Sequence, residues 1–156
     1  MRNPALAVLS AAVIATTVAI TAVSSARAQT EYPIFTHDHF EGMMKTLGPN
    51  LAGMNASLAD GDFDTAKARV VLVRQQLATT ITFWRDNERD DAIGFLRAAI
   101  GRVDALDDVL SEASIDPAAV TAAAAEIGAA CDTCHAVYRE QDPATGDYRL
   151  KPGSVD

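Results

Sequence analysis

Apolar residues recur every three or four positions along four successive segments of this chain, the spacing that places side chains on one face of an α-helix. The four stripes span residues 40–58, 63–84, 93–110 and 117 to about 140. Short polar connections separate them, and no segment shows a convincing strand-like alternation. The pattern predicts an all-α fold, arranged as an antiparallel up-and-down four-helix bundle.

Residues at the ends of two stripes are suited to helix termini. Thr36 or Asp38 is placed to cap the first helix. Asp116 followed by Pro117 is typical of a helix start, because proline at the first helical position forfeits no hydrogen bond. Gly48-Pro49 lies inside the first stripe and predicts a kink or a local break there.

The fourth stripe contains the chain's only two cysteines, in the run Cys131-Asp132-Thr133-Cys134-His135. Two thiols three residues apart on a helix lie on nearly the same face, where each can add to one vinyl group of a haem while the adjacent imidazole turns toward the iron. This run is the attachment signature of c-type haem. We predict one covalent haem c on Cys131 and Cys134, with His135 as the proximal iron ligand.

Other uses of such a cysteine pair are a thioredoxin-like redox centre, half of a zinc site and a structural disulfide. A thioredoxin motif belongs at a strand-to-helix junction, whereas the residues before Cys131 form an alanine-rich helical run. A zinc site needs a second pair of ligands, which the sequence lacks. The disulfide stays open as the alternative to haem attachment.

The first 28 residues have the features of an export signal. Arg2 precedes an uninterrupted run of apolar and small residues, and Ala26-x-Ala28 matches the signal-peptidase pattern. We predict cleavage after Ala28, which leaves residues 29–156 as one haem domain in the periplasm. Because the run approaches the roughly 20 residues that a spanning helix needs, an uncleaved membrane anchor is the alternative.

The mature chain is strongly acidic. Residues 1–28 contain two arginines and no acid, so their removal changes the formal net charge from −8 to −10. A surface of this sign does not bind nucleic acid or anionic lipid unaided. It is suited to redox partner proteins with a basic surface. After cleavage, no further long apolar stretch predicts stable membrane insertion.

The chain resembles the cytochrome c-prime family, four-helix-bundle cytochromes whose single haem motif lies near the C-terminus. The resemblance rests on residues 127–139 in the last helix and on residues 44–48 with Leu51 in the first, within residues 40–139. It places Met44 at the family's distal position, where low-spin members carry a ligating methionine and gas-binding members a non-ligating side chain. Phe40 replaces the family's arginine one turn earlier. Homodimers through the first two helices are common in this family, so the resemblance allows a homodimer here without fixing the oligomeric state.

Met44 is the predicted distal iron ligand, because a thioether closes the sixth position in an electron-transfer site. Met43, one position away on the same broad face, is the first alternative, and Met54 is predicted to be core filling. His37 and His39 offer a bis-histidine alternative. Both lie at the start of the first helix, where histidines usually face solvent or cap.

Two more residues are predicted to lie near the haem. Arg139 follows His135 by four positions, so on a continuous helix it shares that face and screens the propionates or tunes the imidazole. A solvated arginine that favours the helix dipole is the alternative. Gly128 costs the helix roughly 1 kcal/mol relative to alanine, which a close approach of the porphyrin explains. The tail from residue 141 is predicted to be an ordered loop or a frayed end.

The haem motif, together with the distal position that the resemblance gives Met44, predicts an exported monohaem electron carrier that is not an enzyme. The alternative is a five-coordinate, gas-binding protein of the c-prime type that takes up nitric oxide or carbon monoxide. A peroxidase would need a distal acid–base pair, and no spacing in the chain supports one.

Overall fold

The computed structural model describes residues 36–155, which form an all-α fold with a small β element at its end. The elements are α1 (His37–Ala59), α2 (Phe63–Thr79), α3 (Ile81–Asp86), α4 (Asp90–Val109), α5 (Pro117–Tyr138), β1 (Arg139–Gln141) and β2 (Tyr148–Leu150). The predicted export signal and its cleavage site lie outside the described residues. None of the helices between residues 36 and 155 is long and apolar enough to cross a bilayer.

Side-chain caps begin α1 and α5 at the expected positions. The Thr36 hydroxyl accepts a hydrogen bond from the His39 amide at 3.3 Å, so Thr36 rather than Asp38 caps α1. Asp116 accepts from the Ala118 amide at 2.9 Å ahead of Pro117, as predicted for α5. Helix α1 continues through Gly48-Pro49, so the predicted local break is absent there.

The second stripe forms two helices instead of one, with the break at Thr80. Thr80 is fully buried, and its hydroxyl donates to the Leu77 carbonyl at 2.7 Å. Thr79 and Thr82 likewise donate to the carbonyls three residues back, at 2.8 and 3.0 Å. Because such hydroxyls compete for carbonyls of the helical ladder, three of them within four residues interrupt it. The apolar spacing carries no trace of this break.

The helices pack α1 against α2, α2 against α4, and α4 against α5, while α3 contacts α4 and α2. The core residues between them are mostly those of the four stripes, and Met54 is completely buried among them, as predicted. At one end of the molecule, an aromatic cluster joins α1, α3 and α5. Its members are Phe40, Phe83, Trp84 and Tyr138, with ring centroids 4.5 to 5.1 Å apart.

The C-terminal tail forms a β-hairpin, which corrects the expectation of a loop or a frayed end. β1 and β2 pair antiparallel, with Arg139 opposite Leu150 and Gln141 opposite Tyr148. The Asp142 carboxylate accepts from the Ala144 amide at 2.7 Å, and Gly146 has φ +77°, a conformation that favours glycine. Leu150 is buried against the helices, so the hairpin is part of the fold.

Candidate cofactor site on the last helix

The motif cysteines and histidine lie on the last two turns of α5. Cys131, Cys134 and His135 are each half-buried, and both thiols are free. A spacing of three residues puts the two sulfurs close to one face of the helix, as the sequence predicted. Helix α5 then ends at Tyr138, because Arg139 turns to extended backbone with φ −107° and ψ 138°.

Two adjoining cavities open beside this motif, and Met44 lines both of them. The first has a volume of about 70 Å³ and the second about 160 Å³. Cys134, His135 and Arg139 also line both, whereas Cys131 lines the second alone. The fold therefore brings Met44 of α1 to the same space as the motif of α5, although about 90 residues of chain separate them.

The other predicted ligand candidates do not line these cavities. Met43 accepts a hydrogen bond on its sulfur from the Thr46 hydroxyl at 3.8 Å and packs against the core edge. His37 is about half exposed and lies 3.9 Å from the Glu41 carboxylate. His39 is the residue whose amide Thr36 caps, at the first turn of α1. Among these candidates, only Met44 shares a cavity with His135.

Burial sets the protonation of the motif. It raises the pKa of the Cys134 thiol to about 11 and also raises the pKa of the Cys131 thiol, with the Asp132 carboxylate adding to the latter. Burial lowers the pKa of His135, and the Arg139 guanidinium lowers it further. Near neutral pH the imidazole is therefore uncharged, which is the form that ligates iron.

Arg139 reaches the site by a different route from the predicted one. It has left the helix and begins β1, yet it still lines both cavities with His135. Its guanidinium carbon lies 4.3 Å above the Tyr148 ring centroid, so the neighbouring strand holds it in place. The prediction that Arg139 lies near His135 was therefore correct, but its reason was wrong, because Arg139 is not on the same helix as His135.

Gly128 lies in another part of the molecule. It lines a groove between the end of α1 and the first half of α5, together with Asn55, Leu58 and Phe63. A Cβ atom added at Gly128 would meet no other atom within 4 Å. The structure thus does not bring Gly128 together with Met44 and His135.

The hairpin supplies site residues that the sequence reasoning missed. Tyr148, Arg149 and Leu150 line the first cavity opposite Met44. Arg149 pairs with the Glu140 carboxylate at 2.9 Å and with that of Asp142 at 2.6 Å. Only the turn was visible in the sequence, as Asp-Pro and Thr-Gly-Asp within residues 142–147, because the flanking strands are three residues each.

A hydrogen-bonded group ties the end of α5 to the start of α4 and to the tail. The buried Tyr138 hydroxyl donates to the Asp91 carboxylate at 2.6 Å and accepts from Arg89 Nε at 3.2 Å. Arg89 Nη1 also donates to the Ser154 carbonyl at 2.8 Å. These bonds fix α5 directly after His135.

The residues around the two cavities fit a covalently bound haem. The cavities are bordered by the free thiols of Cys131 and Cys134, the uncharged imidazole of His135 and the thioether of Met44. The rest of their lining includes the apolar residues Phe40, Leu47, Leu51, Phe95 and Leu96. Lys45, Arg139 and Arg149 line the first cavity and match the negative propionates. Trp84 also lines the first cavity, and its buried Nε1 has no hydrogen-bond partner among the described residues. Leaving a buried N–H without an acceptor costs about 1–3 kcal/mol, and a bound group that supplies an acceptor would remove this cost.

Residues 36–155 contain no group of three or more His, Cys, Asp or Glu side chains placed to hold a metal ion. In comparisons with known proteins, no family model, curated protein or solved structure matches the chain.

Proposed function

We propose that this protein is an exported monohaem c-type cytochrome of the c-prime class, with an up-and-down four-helix bundle, that carries electrons in the periplasm. The single observation that carries the proposal is the placement of Met44 on the cavities beside Cys131, Cys134 and His135. One thioether and one imidazole on opposite helices are the axial pair of an electron-transfer cytochrome.

Each residue of the site has a distinct task in this proposal. Cys131 and Cys134 bind the haem through thioether bonds, and each bond forms when a thiol S–H adds across a vinyl group. Burial raises the pKa of both thiols in the folded chain, so both are protonated near neutral pH. His135 and Met44 would ligate the iron, the one through its imidazole and the other through its thioether.

The haem, when bound, supplies iron that cycles between the ferrous and ferric states. The chain's residues keep water from it and hold the ligands still. Tyr138, locked to Asp91 and Arg89, fixes the helix end that carries His135. Met44 lies about two turns into a 23-residue helix that packs against α2. Rigid ligands of this kind keep reorganisation small when the charge on the iron changes.

Mass spectrometry of the denatured, exported protein tests the attachment. We expect a mass increase of one haem, and its loss from a Cys131→Ala, Cys134→Ala double variant. Because the double variant leaves the cavities unfilled, we also expect it to be unstable and to accumulate poorly. A protein without any haem adduct, or with a Cys131–Cys134 disulfide, contradicts the proposal.

Electron paramagnetic resonance of the ferric protein separates the two candidate uses of the iron. Ligation by Met44 predicts a low-spin signal and slow, weak binding of carbon monoxide to the ferrous form. A high-spin signal with rapid uptake of the gas would move the function to gas binding.

The site of action follows from the predicted export signal. We propose that the mature protein starts at Gln29, because Ala26 and Ala28 fit the small-residue preference of signal peptidase. N-terminal sequencing of the periplasmic fraction measures this directly. Membrane-bound protein that retains Met1 would favour the anchor.

A further inference from the structure

Trp84 is the only tryptophan of the chain, and it is buried where the first cavity meets the aromatic cluster. Its side chain is 1% exposed and lies against the rings of Phe40, Phe83 and Tyr138, at centroid distances of 5.0, 5.1 and 4.5 Å. The ring contacts explain its packing. They leave its one polar atom without a role.

The indole nitrogen is that atom. Trp84 Nε1 is fully buried and donates to no acceptor in the described part of the chain. Buried N–H groups are almost always hydrogen-bonded in folded proteins, so an exception in a cavity wall indicates a bound acceptor. Trp84 lines the first cavity, so this cavity is the space from which an acceptor would approach its N–H.

Of the three cations that line this cavity, Arg139 has the fewest ion-pair partners among the described residues. Lys45 lies 3.8 Å from the Glu41 carboxylate, and Arg149 pairs with two carboxylates. Arg139 stacks on Tyr148 and makes no ion pair with any residue between 36 and 155. Trp84, whose N–H has no acceptor, and Arg139, whose guanidinium has no ion pair, therefore line the same cavity among the described residues.

We propose that the Trp84 indole N–H and the Arg139 guanidinium together bind one haem propionate. The inference rests on the proposed haem attachment. Propionate carboxylates are the only strong hydrogen-bond acceptors that a haem brings to its edge, and a carboxylate accepts both partners at once. The one acid in the cavity wall, Glu41, is already engaged by Lys45 and His37.

This assignment gives the hairpin a task in the site. Arg139 begins β1, and its stacking on Tyr148 of β2 depends on the strand pairing. The propionate then links α3 to the hairpin across the first cavity. Trp84 and Arg139 act as positioning residues for the haem edge.

Raman spectroscopy of the haem-bearing protein tests the proposal. In ultraviolet resonance Raman, the only indole signal is that of Trp84, and we expect it at the position of a hydrogen-bonded N–H. With visible excitation, we expect Trp84→Phe and Arg139→Gln to shift the bending band of the same propionate. Trp84→Phe keeps an aromatic ring in the cluster. Arg85→Gln, which removes an exposed positive charge from the same helix as Trp84, is the matched control and should shift neither band.

An indole N–H that reports no hydrogen bond in the wild type overturns the proposal without any variant. The proposal is also overturned if Trp84→Phe and Arg139→Gln both leave the propionate bending bands unchanged. The same holds if the two variants shift the bands of two different propionates. Protein that carries covalent haem and gives one of these results leaves the proposed function standing. Protein without covalent haem overturns both.

Discussion

At the scale of single residues, the sulfur of Met44 decides in the proposed cytochrome whether the iron has five or six ligands. Met44→Ala should convert a low-spin protein to a high-spin one that binds carbon monoxide readily. Truncation of a buried methionine costs about 2–5 kcal/mol, and Met44 is only half-buried, so the fold should survive. The ferric electron paramagnetic resonance spectrum and a carbon monoxide titration measure the change.

Met43→Ala is the matched control, because it removes the same side chain one position away and outside both cavities. Its spectra should match the wild type. A low-spin spectrum that persists in Met44→Ala would exclude the thioether of Met44 and direct the search to Met43, His37 and His39.

The Tyr138 hydroxyl should stabilise the molecule in a pH-dependent way. Tyr138→Phe removes its bond to Asp91, and at neutral pH we expect a loss of about 1 kcal/mol in the free energy of unfolding. The bond from Tyr138, helped by Arg89, holds the pKa of Asp91 below its ordinary 3.8. A lowered carboxylate pKa stabilises the fold above 3.8, and this contribution is lost as the pH falls through the lowered value.

Denaturant titrations from pH 7 to pH 2 measure this difference, which should shrink below pH 4. Tyr148→Phe is the control, because Tyr148 is 56% exposed and its hydroxyl makes no hydrogen bond to the described residues. A Tyr138→Phe difference that is constant down to pH 2 would show that Asp91 is not the partner that matters.

At the scale of elements, the helices could be predicted from the apolar periodicity, and several of their starts from the capping residues. The starts of α1, α2 and α5 follow from the side chains that cap them, as with Asp116 ahead of Pro117. The break at Thr80 was not predictable from the stripe, because it arises from hydroxyl-to-carbonyl bonds that leave the apolar spacing intact. The hairpin was missed because two three-residue strands are too short to show an alternation.

The candidate site likewise contains residues that local sequence predicts and residues that only the tertiary fold brings there. Cys131, Cys134 and His135 are visible in sequence because their chemistry requires fixed local spacing. The placement of Met44 beside them depends on the packing of distant helices, and only the family resemblance indicated it. The roles of Arg149 and Trp84 depend on where the tail folds and on a missing hydrogen bond, and neither is encoded locally.

The hairpin turn should control how well the first cavity is closed. Gly146 has φ +77°, where a β-branched residue is strained by about 1–2 kcal/mol, so Gly146→Val should loosen β2. We expect faster exchange of the Lys151 amide, which donates to the Tyr138 carbonyl at 2.8 Å, and a lower reduction potential as water reaches the haem edge.

Gly146→Asn is the matched control, because asparagine tolerates this region of backbone conformation. It should keep slow exchange at Lys151 and the wild-type potential. If Gly146→Val exchanges faster at Lys151 without any change in potential, the hairpin does not cover the haem.

At the scale of the whole molecule, two electrostatic fields of opposite sign act on a redox partner. Residues 29–156, the proposed mature chain, have a formal charge of −10, whereas Lys45, Arg139 and Arg149 border the cavity through which electrons would pass. The Debye length is about 30 Å at 0.01 M salt and about 8 Å at 0.15 M. Total charge should therefore dominate at low salt, and the local cations should gain weight as salt is added.

Stopped-flow electron exchange with small cationic and anionic complexes of similar potential measures this balance. At 0.01 M salt we expect the cationic complex to react faster, and added salt should slow it while accelerating the anionic complex.

Asp108→Lys changes an exposed charge on α4 outside the described cavities, and Glu41→Lys makes the same change in the cavity wall. At low salt the two variants should reduce the preference for the cation by similar amounts, because the whole surface contributes. At 0.15 M only Glu41→Lys should still do so, since Asp108 is then screened. If the anionic complex is faster at every salt concentration, the cations at the cavity determine partner choice, and the natural partner has an acidic surface, contrary to the basic one that the composition predicts.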